Sequence, residues 1–165
     1  MILTGIADEA GARIETQIKA TKELGWEHIE ARSVEVEGFP KANLHDIDDA
    51  AFDIVEKKLK ESGVKIYAFG STIANWGKKI DDPFDLSDVE RAIPRMQRLG
   101  TKYVRIMSYA VREGEDQMEA ERFRRINEIT KRFVDAGLTP VHENCMNYGG
   151  MSWQHAQKLR ENVPG

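Results

Sequence analysis

Apolar and polar positions along the chain alternate between two periods. Five short runs, residues 2–7, 28–33, 64–70, 102–107 and 138–144, are apolar-rich and read as strands. The segments between them repeat apolar residues at helical spacing. Ile14, Ile18 and Leu24 share one stripe, and so do Ile47, Ala50, Ala51, Ile54, Val55 and Leu59. Val89, Ile93, Met96 and Leu99 form a third, with Pro94 inside it as a possible kink, and Ser87 with Glu90 reads as its capping box. Phe123, Ile126, Ile129 and Phe133 form a fourth stripe. A fifth helix starts at Ser152, carries Trp153, Ala156 and Leu159, and stops at Pro164-Gly165. Gly25, Gly63, Gly100 and Gly137 each close a helical pattern, spaced 37 or 38 residues apart. A left-handed residue just past a helix suits glycine, which has no Cβ to clash there.

The order is βαβαβαβαβα over a single domain, residues 1–165, with no linker. Such alternation predicts an α/β fold of parallel strands joined by right-handed crossovers. Five units in 165 residues fit an open five-stranded, flavodoxin-like sheet. They also fit the first five units of a (β/α)8 barrel, which typically needs ~250 residues. The loop after the first run argues against a flavin sheet. It reads Ala7-Asp8-Glu9-Ala10-Gly11, and two carboxylates repel a phosphate. A receiver domain needs an acidic residue after the third run, which instead continues Phe69-Gly70-Ser71-Thr72.

Parallel strands covered on both faces usually read as unbroken apolar runs. These runs alternate. His28, Glu30 and Arg32 share one face, with Ile29 and Ala31 on the other. Tyr103, Arg105 and Met107 alternate with Val104 and Ile106. Val141 and Glu143 share a face that His142 does not. The apolar parity packs under helices. The charged parity lines a common interior, either as structural ion pairs, such as Glu30 with Arg105, or as a polar barrel mouth.

Composition narrows the function classes. Charged residues are 32% and apolar residues 41%, as in ordinary globular proteins. Lys plus Arg is 24 against 28 Asp plus Glu, a net charge of −4, which disfavours nucleic acid as a general partner. The basic run Arg122-Phe123-Arg124-Arg125 sits among Glu119, Glu121 and Glu128 and reads as a solvated helix face. Cys145 is the single cysteine, which excludes an intrachain disulfide and suggests a reducing compartment. No apolar run approaches a membrane span and no signal peptide is visible, so the expected location is cytoplasmic, with no membrane partner.

Several segments carry a resemblance. The fifth run reads Pro140-Val141-His142-Glu143-Asn144-Cys145, then Gly149-Gly150-Met151-Ser152. The opening reads Gly5-Ile6-Ala7-Asp8-Glu9-Ala10. Trp26-Glu27-His28-Ile29-Glu30-Ala31-Arg32, Ile73-Ala74-Asn75-Trp76 and Arg105-Ile106-Met107-Ser108-Tyr109 keep the same register. Together they resemble the sugar phosphate isomerase/epimerase family of xylose-isomerase-like TIM barrels, over the first five βα units of such a barrel. The resemblance implies one divalent cation (Mn, Mg, Co or Zn) and a sugar or sugar phosphate as the small-molecule partner. It implies proton relocation beside the carbonyl through a metal-stabilised ene-diolate. Glu143 matches the family's first metal ligand and is also the acid/base candidate. The other ligands of the family follow its later strands and have no counterpart in these residues. Asp8, Glu30, Asn75, Trp76 and Ser108, at or just past the strand ends, become candidates for substrate hydroxyl contacts and ring stacking. His142 has the wrong parity for a ligand and reads as packing or as a hydrogen-bonding support. His155 reads as a helix-packing residue.

Two alternatives remain. A metal-dependent endonuclease of the same barrel type uses several zinc-bound His and a basic face, which four His and a net charge of −4 do not offer. A non-catalytic truncated fragment or assembly module is the other, with self-association through exposed strand edges.

Overall fold

A computed structural model describes residues 1–163; Pro164 and Gly165, where the sequence reading stops the last helix, lie outside the described residues. In chain order there follow a 3-10 turn, Ala7–Glu9, then α1 (Ile14–Glu23), β1 (His28–Ala31), β2 (Ser33–Val34), β3 (Ala42–Asn43), α2 (Asp49–Ser62) and β4 (Lys65–Phe69). The chain continues with α3 (Ser87–Leu99), β5 (Tyr103–Ile106), α4 (Glu119–Asp135), β6 (Thr139–His142), a 3-10 turn, Tyr148–Gly150, and α5 (Trp153–Asn162). The fold is α/β with a parallel sheet. By packing, the chain divides into two compact units, residues 1–71 with 91–104, and residues 72–90 with those from 105 onward; α3 and β5 run from one into the other.

In the first unit β1 pairs in parallel with β4, and β4 with the start of β5. Ile14, Phe52, Val55 and Met96 of the helices are buried, as are Ile29, Ala31, Phe69 and Val104 of the strands. His28, Glu30 and Tyr103 alternate with them and stay half-buried, as the strand period requires. The ring of Phe52 is covered by two guanidinium groups, those of Arg95 and Arg98, at 4.9 and 4.8 Å. Arg95 is buried and donates to Leu44 O and to Asp49, at 3.2 and 2.6 Å.

Three expectations are corrected in this unit. Residues 2–7 form no strand. Ile6 makes one isolated bridge to Glu30, Gly5 O accepts the Glu30 N–H, and Met1, Ile2 and Leu3 are exposed. Extended residues become a strand only where ladder bonds reach them, and apolar pattern alone does not supply those bonds. Leu24 is not part of the α1 stripe: it lies past the helix end and is exposed. The short antiparallel pair β2–β3 interrupts the βα alternation.

In the second unit Glu143 N–H donates to Ile106 O at 3.1 Å, which sets β6 beside the end of β5. The segment after β4 is tied to the one after β5: Met107, Tyr109 and Ala110 donate main-chain N–H groups to the carbonyls of Ile73, Ala74 and Lys78. Ala74 and Tyr109 hold left-handed backbone, φ 51° and 65°, a conformation that costs a residue with a Cβ about 1 kcal/mol or more. The start of α3 also differs from the capping-box expectation. Asp85, not Ser87, is the acceptor, taking the Ser87 N–H and Oγ at 2.9 and 2.6 Å. Ser87 already lies inside the helix, so its hydroxyl serves Asp85 instead.

The basic run in α4 is only partly a solvated face. Arg124 is exposed, but Arg122 and Arg125 are buried. Glu121 bonds Arg124 and Arg125 at 2.6 and 2.7 Å, and these guanidinium groups, Arg124 first, pull its carboxyl down to about 2. A depressed carboxyl adds stability above its unfolded pKa and loses it as pH falls toward the folded one. Glu121→Gln is therefore expected to lower the urea midpoint at neutral pH, and the gap from the parent closes between about pH 4.5 and about 2. A gap of constant size across that range removes the ion pairs as its cause.

Candidate functional site

The sequence-predicted residues fall in both units. In the first, Asp8 follows Ile6 in the 3-10 turn, and its side chain is 4% exposed. Its Oδ2 accepts from Arg32 Nε and the Ser33 N–H, at 3.0 and 3.2 Å, while Oδ1 is buried with no protein partner. Arg32 also bonds Glu9 at 2.7 Å, so one guanidinium gathers the two carboxylates of the turn, and Asp8 in turn raises the Arg32 pKa. Glu30 is half-buried at the end of β1.

In the second unit Asn75 Oδ1 takes the Gly77 N–H at 3.0 Å, and Trp76 is half-exposed. Glu143 stands one residue past β6. Its Oε2 is buried 3.0 Å from Arg105 Nη1, while the side chain as a whole is 41% exposed. The ion pair of Arg105 within this unit is with Glu143. Two hollows of about 210 and 220 Å³ lie among helix-side residues, one beside Ile126 and Leu159, the other beside Val89 and Tyr109. Neither is lined by Asn75, Trp76, Ser108 or Glu143.

Ser108 is fully buried and its hydroxyl is occupied by protein. It donates to Asn147 Oδ1, accepts the Gly149 N–H at 2.9 Å and meets His142 Nε2 at 3.1 Å. With the serine proton spent on Asn147, Nε2 is the donor to Ser108. The ring of His142 is tucked against Gly149, although the residue is exposed along β6. Burial lowers its pKa, against the hydrogen bonds to Asn144 and Asn147 and the charge of Glu143. This is the supporting role that strand parity predicts. His155 packs edge-on against Tyr148 at 4.9 Å.

Sequence reasoning missed the hub beneath this cluster. Arg122 is fully buried and donates to the carbonyls of Ser108, Gln117 and Ala110, and it lies over the Tyr148 ring at 4.9 Å. Burial pulls its pKa down to about 10. Tyr148 is buried too and donates to Glu119 at 2.6 Å; burial first, then that carboxylate, pushes the phenol pKa up. A sequence signal was present: 122, 126, 129 and 133 step by four, three and four, so Arg122 occupies the apolar stripe of α4.

A divalent cation needs several oxygen or nitrogen donors around one point. Glu143 brings one carboxylate, one of whose oxygens faces Arg105. Among the described residues no three His, Cys, Asp or Glu side chains group to hold a metal. The residues present do not make a metal site by themselves. Among the described residues, no helix is long and apolar enough to cross a membrane.

Comparison with known proteins gives the family. Among solved structures, a xylose isomerase-like TIM barrel protein from Mycobacterium smegmatis in complex with magnesium superposes with a TM-score of 0.71 at 15% identity, over 98% of this chain and 60% of that one. An L-ribulose 3-epimerase gives 0.65 at 14% identity, over 100% and 58%. The IolI protein with a binding zinc atom gives 0.68 at 12% identity, over 100% and 60%. At such identities the likeness is one of fold, and the chain spans about three-fifths of the length of these structures. Curated protein sequences give no match. The family model described as xylose isomerase-like TIM barrel matches residues 18–164. The chain belongs to the xylose isomerase-like TIM barrel family.

Proposed function

We propose that this chain forms the first five βα units of a sugar or sugar phosphate isomerase/epimerase, in which Glu143 moves a proton beside the substrate carbonyl. The observation that carries this reading is the setting of Glu143: one residue past a strand, its Oε2 buried 3.0 Å from Arg105 Nη1 and its side chain 41% exposed. A general base needs that combination of fixed geometry and access. It takes the proton from the carbon next to the carbonyl, leaving an ene-diolate. Returned by Glu143 to the neighbouring carbon, the proton completes an isomerisation; epimerisation needs a second acid delivering a proton to the opposite face, which a group outside these residues would supply. The epimerase among the fold neighbours supports this class of chemistry.

Asp8 and Glu30 in the first unit, and Asn75 and Trp76 in the second, enter as candidate contacts, the polar groups for sugar hydroxyls and the indole for a ring face. Ser108, whose hydroxyl is filled by protein partners, takes part by holding its neighbours. A divalent cation would take Glu143 as one ligand only in a site that further donors complete, and would supply Lewis-acid stabilisation of the ene-diolate there.

One observation favours the assembly-module reading beside it. Val141, Met146, Met151 and Trp153 are all exposed on the stretch around the 3-10 turn after β6. Such an apolar stretch suits a partner polypeptide or a second copy.

The test is deuterium uptake from D2O into the C–H beside the carbonyl of a ketose or ketose phosphate, with Mn²⁺ present. Glu143→Gln is expected to lower uptake by about 100-fold or more. Equal uptake by both proteins removes Glu143 from the chemistry. No uptake by the parent protein on any ketose leaves the assembly-module reading.

A further inference from the structure

Asn147 lies four residues past Glu143 and was singled out by no motif. It is fully buried, and its amide is saturated. Nδ2 donates to Glu143 O at 2.9 Å and to Cys145 Sγ at 3.4 Å. Oδ1 accepts from Ser108 Oγ and from the Gly149 N–H, the latter at 3.1 Å. An amide offers two donors and two acceptor positions, so every one is used, and the orientation of the group is fixed by what it meets. Asn147 N–H also donates to Cys145 O at 2.8 Å. The side chain thus staples the Glu143 carbonyl to the turn at Gly149, and through Ser108 to the end of β5.

We propose that Asn147 is a positioning residue for Glu143: through the Glu143 carbonyl, with Ser108 behind it, it fixes the backbone from which the carboxylate projects toward Arg105. The inference rests on Glu143 being the reacting carboxylate. Two restraints act on that residue from opposite ends, Asn147 on its main chain and Arg105 on its side chain, and a reacting group misplaced by about 1 Å loses much of its rate. The buried setting strengthens the hold, because the Asn147 amide and the Ser108 hydroxyl are fully buried and meet each other rather than water.

The discriminating variant is Asn147→Asp. It keeps the acceptor for Ser108 and Gly149 but replaces the donor to Glu143 O with a second acceptor. Ser108→Ala, which removes the hydroxyl behind Asn147, is the companion if the first fails to fold. The readout is the carboxyl ¹³C resonance of Glu143 in the purified chain, assigned by its loss in Glu143→Gln. In both Asn147→Asp and Ser108→Ala the resonance is expected to shift or broaden by more than its linewidth. Val55→Ala, a core truncation in the first unit, is expected to lower the melting temperature and leave it in place. A folded Asn147→Asp protein with the Glu143 resonance unmoved overturns the proposal. The functional reading fails by a different result: if deuterium uptake does not depend on Glu143 while the resonance still moves, positioning holds and the carboxylate's chemistry does not.

Discussion

Gly150→Ala is expected to melt about 10 °C below the parent protein, equivalent to about 3 kcal/mol of lost stability for a chain of this size. A Cβ at Gly150 stands 1.6 Å from Cys145 O, 2.7 Å from Cys145 C and 3.1 Å from Cys145 N. All three atoms are backbone, so no rotamer change relieves the overlap, and the turn at Tyr148–Gly150 has to open. Opening it costs the Gly150 N–H bond to Asn147 O and disturbs the fully bonded amide of Asn147. Gly149→Ala makes the instructive contrast. There the Cβ meets the His142 ring at 2.4 Å and Leu159 Cδ1 at 2.6 Å, both ends of side chains that can turn away. It is expected to cost less, and to show itself as loss of the His142–Ser108 contact. Thermal melts of the two variants decide the matter. If Gly150→Ala melts with the parent, the close approach of the turn to Cys145 is not what the structure gives.

The same pair of glycines shows what could be read from sequence and what could not. The Gly-Gly turn after His142-Glu143-Asn144 was visible as a motif, and with it the placement of Glu143 at a strand end. The reason for two glycines was not visible, since it lies in contacts with Cys145, His142 and Leu159. Elements built from local periodicity came through. The runs that became β1, β4, β5 and β6 were legible because alternation is a property of consecutive residues. Residues 2–7 had similar apolar content but lacked ladder partners, and pairing is non-local. The two-residue strands β2 and β3 are shorter than any window in which alternation can be counted.

The candidate site divides in the same way. Asn75 and Trp76 lie in the loop after β4, where the sequence reading put them, and Trp76 is half-exposed. The buried polar layer was not legible. Ser108 looked like a substrate contact because it follows a strand; its hydroxyl is in fact taken by Asn147, Gly149 and His142, residues 34 to 41 positions away. Buried polar groups are satisfied by whatever the fold brings near, and their partners leave no trace in nearby sequence. What periodicity could have exposed was a charge in the wrong place, and Arg122 was that charge.

Arg122→Leu is the second large effect expected, about 3 kcal/mol, read as a drop in urea midpoint with an unchanged slope. The substitution suits the apolar stripe of α4, where Ile126, Ile129 and Phe133 are already buried. Helix propensity is the same for leucine and arginine and apolar burial favours leucine, so on those grounds alone the variant gains stability. Against that stands the loss of a donor to three carbonyls, Ser108, Gln117 and Ala110, and of the cation over Tyr148. The Ser108 carbonyl is the buried one of the three, and a buried acceptor left without a partner costs about 1–3 kcal/mol by itself. The shift of Arg122 to about 10 leaves it a cation at neutral pH, so its charge is present to be lost. Arg122→Lys retains that charge but not a planar fork able to serve three acceptors, and is expected to recover less than half of the loss. Arg122→Leu also releases the Ser108 main chain, so the Glu143 carboxyl resonance is expected to move with it, as in Ser108→Ala. A leucine variant as stable as the parent, with that resonance in place, shows that the stripe position matters only for its apolar packing and that the carbonyls find other donors.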